Sequence, residues 1–167
     1  MTSIAVLMVC SVLRLFLSEV SMLQDLYQEL IVDHGKNPRN FRPIEHARSC
    51  QHGNNPLCGD RIILYVQHDD VIISDIAFQG EGCAICMSSA SLMTQVLKGK
   101  SLSDSKVLFQ HFHDSVVSGV AVDGAKLGKL EALLGVSQYP TRVKCATLAW
   151  HTLVAALDGN NEVVCTE

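Results

Sequence analysis

The stretch RIILYVQHDDVIISDIAF, residues 61–78, decides the fold class. Its two flanks, RIILYV and VIISDIAF, are rich in β-branched residues and enclose the polar QHDD, a pattern that reads as a β-hairpin. After QGEGC (79–83) the period changes, because Ile85, Ser89, Leu92, Met93, Val96 and Leu97 fall on one helical face before KGKS (98–101) stops it. A short strand is predicted upstream, near residues 44–51. The expected architecture is therefore α+β, a small antiparallel three-stranded sheet packed against helices on one side.

Further outward, MLQDLYQELIVDHG (22–35) places Leu23, Leu26, Tyr27, Leu30 and Ile31 on one helical face, with Gly35 as its expected C-cap and KNPRNFRP as a turn. Downstream, helices are predicted around 103–117, 125–134 and 141–157. Pro140 and Thr141 start the last of these, and Asp158 and Gly159 stop it.

At 167 residues, 48% of them hydrophobic and 18% charged, the chain is large enough to bury a core of its own and needs no second domain. The net charge is -4 and the thirteen Lys and Arg are scattered, so no basic stripe exists to neutralise phosphates, and nucleic acid is not expected as a partner. Seven cysteines, an odd number in a chain with an ample core, favour reduced thiols over a disulfide framework and suit the cytoplasm. The segment IAVLMVCSVLRLFL (4–17) is apolar apart from Ser11 and Arg14. It lacks a cationic flank and falls short of the ~20 apolar residues that span a bilayer, so no membrane partner is expected. Residues 1–21 are expected to be an extension outside the fold, with an organelle or export signal and a packed extra helix as the alternatives, and residues 22–167 to form the domain.

The chemistry concentrates in three cysteines. Cys58 stands in the turn NPLCGD (55–60), two positions before Asp60, while Cys83 and Cys145 each fall at the predicted opening of a helix. A helix N-terminus carries unpaired N–H groups and about half a positive charge, which favours thiolate over thiol. Gly59 lets the side chains of Cys58 and Asp60 bend toward one point. Three thiolates and one carboxylate make a tetrahedral set suited to zinc. Taken singly, each cysteine reads more readily as a small buried apolar residue. Arg142, three residues before Cys145, is placed to donate hydrogen bonds to the anionic ligands, or else is a surface arginine near a helix start.

The segments LYQELIVDHGKNPRN, NPLCGD, AFQGEGCAICMSSASLMT and PTRVKCATLAW occur in the order found in the U-type iron–sulfur assembly proteins, and the resemblance covers roughly residues 23–157. Within that superfamily the chain resembles the SufU branch more than the IscU branch. FHDSVVSGVAVDGAKLGKLEALLG (112–135) resembles the insertion that marks SufU-type proteins, and Lys144 stands where IscU-type scaffolds have a histidine. A protonated lysine has no lone pair for a metal. The resemblance implies Zn2+ held by Cys58, Asp60, Cys83 and Cys145. It also implies a sulfurtransferase-like function, in which Cys58 accepts persulfide sulfur from a pyridoxal-phosphate-dependent cysteine desulfurase of the SufS type and relays it to a downstream Suf-type scaffold. A partner histidine would take over a coordination position and free Cys58. Two other functions remain open, a scaffold that assembles and transfers a transient iron–sulfur cluster, and a binding module whose zinc is purely structural. Cys86 departs from the family, which has a small residue there; it reads as a packing substitution or a spare thiol.

Overall fold

The structure is a computed structural model that describes residues 24–160 and 162–166. The first helix, α1, occupies 24–36 and runs through Gly35 rather than ending at it. There follow β1 (Ser49–Asn55), β2 (Asp60–His68), β3 (Ile73–Glu81), α2 (Ala84–Leu97), α3 (Leu102–Ser118), a 3₁₀ helix (Gly128–Gln138), α4 (Pro140–Leu157) and β4 (Val164–Cys165). The expectation for residues 1–21 lies outside the described residues. Among the described residues no helix is long and apolar enough to cross a membrane.

The hairpin forms where the sequence placed it. β2 and β3 pair antiparallel from Arg61–Glu81 to His68–Ile73, with an irregularity at Gln67/His68. β1 pairs antiparallel with β2, and β4 adds two residues parallel to β1, giving the order β3-β2-β1-β4. The α+β class holds, with a four-stranded mixed sheet where three antiparallel strands were expected. β4 is too short to leave a periodic signal. β1 itself lies later than expected, in SCQHGNN, which lacks β-branched residues. Its period shows instead in burial, with Gln51, Gly53 and Asn55 turned inward. Gly53 is there because α4 crosses β1 at that point, and a Cβ would collide with Thr152 Oγ1.

Ile62, Leu64 and Val66 of β2 point into the core, where α4 packs on β2 and α2 on β3. Trp150 of α4 stacks on Phe112 at 4.7 Å between ring centroids and donates its indole N–H to Ser89 Oγ at 3.2 Å, so its polar atom is satisfied while its rings are buried. The helix expected around 125–134 is 3₁₀ rather than α. Leu127 at its N-cap and the buried Leu130, Leu133 and Val136 within it recur every third position, which matches three residues per turn; Ala132 is buried beside them.

Candidate metal centre

The end of β1 and the start of β2 are paired at Asn55 and Asp60, so residues 56–59 form a closed turn that carries Cys58 at the end of the two inner strands. Gly59 has a left-handed φ of 72°, which turns the chain there. Cys58 is half-buried, and Asp60 is fully buried. Both carboxylate oxygens of Asp60 are held: Oδ1 accepts from the Cys83 backbone N–H at 2.8 Å, and Oδ2 from Asn55 Nδ2 at 3.2 Å. The chain can pass this close only because residue 82 is glycine, since a Cβ there would stand 2.7 Å from Asp60 Oδ1.

Cys83 is the N-cap of α2, with φ -68° and ψ 163°, and its side chain makes no capping bond, so the sulfur is left for other partners. Cys145 is placed differently from expectation. α4 already begins at Pro140, which puts Cys145 in its second turn, beyond the reach of the unpaired N–H groups at the helix start. It is fully buried; its thiol lies 3.4 Å from the Thr141 carbonyl, and Asn55 Nδ2 donates to its sulfur at 3.3 Å. Burial pushes the Cys145 thiol up, and hydrogen bonds to Asp60 and Cys58 and the nearby charges of Cys83 and Asp60 push it further the same way.

Cys58 Sγ, a carboxylate oxygen of Asp60 and Cys145 Sγ lie within 4.8 Å of one another, the sole such group among the described residues. A tetrahedral zinc, at ~2.3 Å from sulfur and ~2.0–2.2 Å from oxygen, sets its ligands roughly 3.5–3.8 Å apart, so the three donors need to close by little more than an ångström. Cys83 stands outside this triplet. It borders the site through its backbone bond to Asp60 and through its charge, which acts on both Cys145 and Arg142. The donor set of two or three sulfurs and one carboxylate fits zinc.

Arg142 is exposed on the first turn of α4, and its Nη1 reaches Cys58 Sγ at 3.9 Å. The sulfurs of Cys83, Cys145 and Cys58 hold the guanidinium still more firmly protonated than usual. Lys144 lies apart from the cluster, in a cleft with Val164 and Thr166. Cys86 is buried in the hydrophobic core, and burial, followed by the charges of Asp60, Cys83 and Cys58, pushes its thiol far up. Asn55 had not been singled out from the sequence, although it opens the same NPLCGD motif. Only the strand register shows that it faces both Asp60 and Cys145.

Residues 26–146 match the NifU-like N-terminal domain. The chain is 44% identical over 142 residues to the zinc-dependent sulfurtransferase SufU of Bacillus subtilis, covering 83% of this chain and 96% of that one. It is 39% identical over 138 residues to the iron–sulfur cluster assembly scaffold protein IscU of Streptococcus pyogenes, covering 83% and 86%. Among solved structures it is similar to one described as an iron–sulfur cluster assembly scaffold protein for the SUF system, from Fervidobacterium islandicum. The TM-score is 0.72 and the identity 34%, over 77% of this chain and 94% of that one.

Proposed function

Because the chain belongs to the NifU-like N-terminal domain family, the U-type proteins of iron–sulfur cluster assembly, we propose that it is a zinc-dependent sulfur acceptor that takes persulfide sulfur from a cysteine desulfurase onto Cys58 and relays it to a downstream scaffold. The metal ligands in this reading are Cys58, Asp60, Cys83 and Cys145, and the functional unit is residues 22–167, in a reducing compartment such as the cytoplasm. The single observation that carries it is the asymmetry of the gathered donors: Asp60 and Cys145 are buried, whereas Cys58 is half-buried in an outward turn.

Bound zinc would supply a centre that keeps the coordinating thiols ionised near neutral pH. The Cys58 thiolate attacks the outer sulfur of the desulfurase persulfide. A new S–S bond forms on Cys58, the donor's S–S bond breaks, and the donor cysteine leaves as a thiolate, so atoms and electrons balance without an outside oxidant. Arg142 lies beside Cys58 Sγ and offsets negative charge there before and after the transfer. Asp60 stays in place because the Cys83 N–H and Asn55 hold both of its oxygens.

The test is metal content and visible absorbance of protein purified without added metal, together with sulfide release by a SufS-type desulfurase. The expected result is about one zinc per chain, no visible chromophore, and turnover that depends on Cys58. A coloured cluster on the purified protein, with desulfurase turnover indifferent to Cys58→Ala, rejects the relay and restores the scaffold reading. Zinc retained with no effect on any desulfurase leaves the purely structural reading.

A further inference from the structure

We infer that Asn55 is a positioning residue that locks Asp60 and Cys145 into a fixed donor pair and so leaves Cys58 as the ligand that exchanges, an inference that rests on the metal-site reading above. Asn55 is 0% exposed and is the last residue of β1, paired in register with Asp60, so its side chain projects from a sheet rather than from a loop. Its amide has one acceptor and two donor hydrogens. The oxygen accepts from the Leu57 backbone N–H at 3.3 Å. The nitrogen faces Asp60 Oδ2 at 3.2 Å and Cys145 Sγ at 3.3 Å, one hydrogen for each. A flipped amide would set its oxygen against a carboxylate and its NH2 against an N–H, so both ends fix the same orientation.

Each bond also serves the metal site chemically. A neutral donor between two anionic ligands draws charge from both and holds them at one separation. No second cation is needed in the buried space to do this. Cys58 receives nothing of the kind from Asn55; it meets the Cys145 thiol on its inner side and the exposed Arg142, at 3.9 Å, on its outer side. With two ligands pinned from inside and one approached from outside, the order of release is set by the hydrogen bonds as much as by the metal.

The test compares wild type with Asn55→Ala. Zinc affinity is measured by competition with a chromophoric chelator, thiolate-to-cobalt charge transfer is recorded on the Co2+-loaded proteins, and cysteines of the zinc-loaded proteins are alkylated and mapped. The expected result is an affinity loss of about 10–100-fold, a charge-transfer band moved to lower energy because Cys145 has lost its N–H donor, and alkylation that spreads from Cys58 to Cys145. A residue that merely closes the turn would lower the melting temperature and leave the band where it was. Affinity within about twofold of wild type, with the band unmoved and labelling confined to Cys58, overturns the inference while the metal-site reading survives. A wild type that takes up neither zinc nor cobalt overturns both. If Asn55→Ala does not fold, the side-chain amide of 15N-labelled wild type decides. Both of its protons should be protected from exchange and should shift on zinc loading, and free exchange with water sinks the inference.

Discussion

Asp60 and Cys145 are fully buried and share the equally buried Asn55, whereas Cys58, a few ångströms away, rides a half-buried turn and is approached by the exposed Arg142. One side of the cluster is built like a protein core and the other like a binding surface. The difference lies in which elements supply the residues. The inner pair comes from the first residue of β2 and the second turn of α4, both held by sheet and helix packing, while Cys58 comes from the connection between two strands. A site that must both keep its metal and give up one ligand needs this division, because rigidity and exchange cannot be asked of the same sulfur.

Substitutions on the two sides should therefore separate two measurements, metal retention and sulfur acceptance. The largest effect expected is on the inner side. Asp60→Ala and Cys145→Ala each remove a pinned donor, so zinc affinity should fall by more than the about 10–100-fold usual when only a supporting residue is changed, and the protein should come out zinc-poor and colourless even with iron present. A stable coloured cluster on Asp60→Ala would break the comparison. Next, Cys58→Ala should abolish sulfur acceptance by removing the nucleophile, yet cost less zinc than either inner change. Equal zinc loss at all three positions, read by metal analysis, would show that the two sides do not differ. Arg142→Ala should be milder, about 1.5–5-fold in desulfurase stimulation with zinc content unchanged, as suits a long contact from an exposed side chain.

The smallest effect concerns the support of the inner side. His34 of α1 is buried and its Nδ1 lies 2.8 Å from Ser91 Oγ on α2, the helix that Cys83 caps. Burial lowers its pKa below 6.5; the charges of Arg39 and Lys129 act in the same direction and Asp33 opposes them. A depressed folded-state pKa means that the unfolded chain takes up the proton first, so this stabilisation is present above about pH 6.5 and is lost as pH falls through the lower folded value. Melting temperature of the metal-free protein should drop more between about pH 7.5 and 5.5 in wild type than in His34→Gln. Parallel slopes would show that α2 does not depend on this contact.

Most of the fold was legible because its signals are periodic. The hairpin at 61–78, the apolar face of α2 and the Pro140 start of α4 are stretches where side-chain spacing and backbone geometry agree. The misses have separate causes. β1 carries Gln51, Gly53 and Asn55 on its buried side, where a hydrophobic pattern would look for valine or isoleucine, because α4 crosses at Gly53 and the other two meet polar partners. The 3₁₀ helix was readable as such from Leu127, Leu130, Leu133 and Val136, whose spacing of three was absorbed into an α-helical reading. At the candidate site, Cys58, Asp60, Cys83 and Cys145 are singled out by residue type and motif, and the structure gathers three of them with Cys83 at the border. Asn55 was not found, since an asparagine before a proline looks like turn chemistry until the strand register turns its amide inward.

The pairing of Asn55 with Asp60 also limits mechanical reach. A chain clamped at both of these residues is a short loop, and even fully stretched its apex stands no more than roughly 8 Å from the line joining its ends. Cys58 can tilt, therefore, but it cannot swing like an arm between distant stations. The long travel in any delivery to or from this sulfur must be made by the other molecule, whose reacting group has to be brought within a few bond lengths of the turn at the end of β1 and β2.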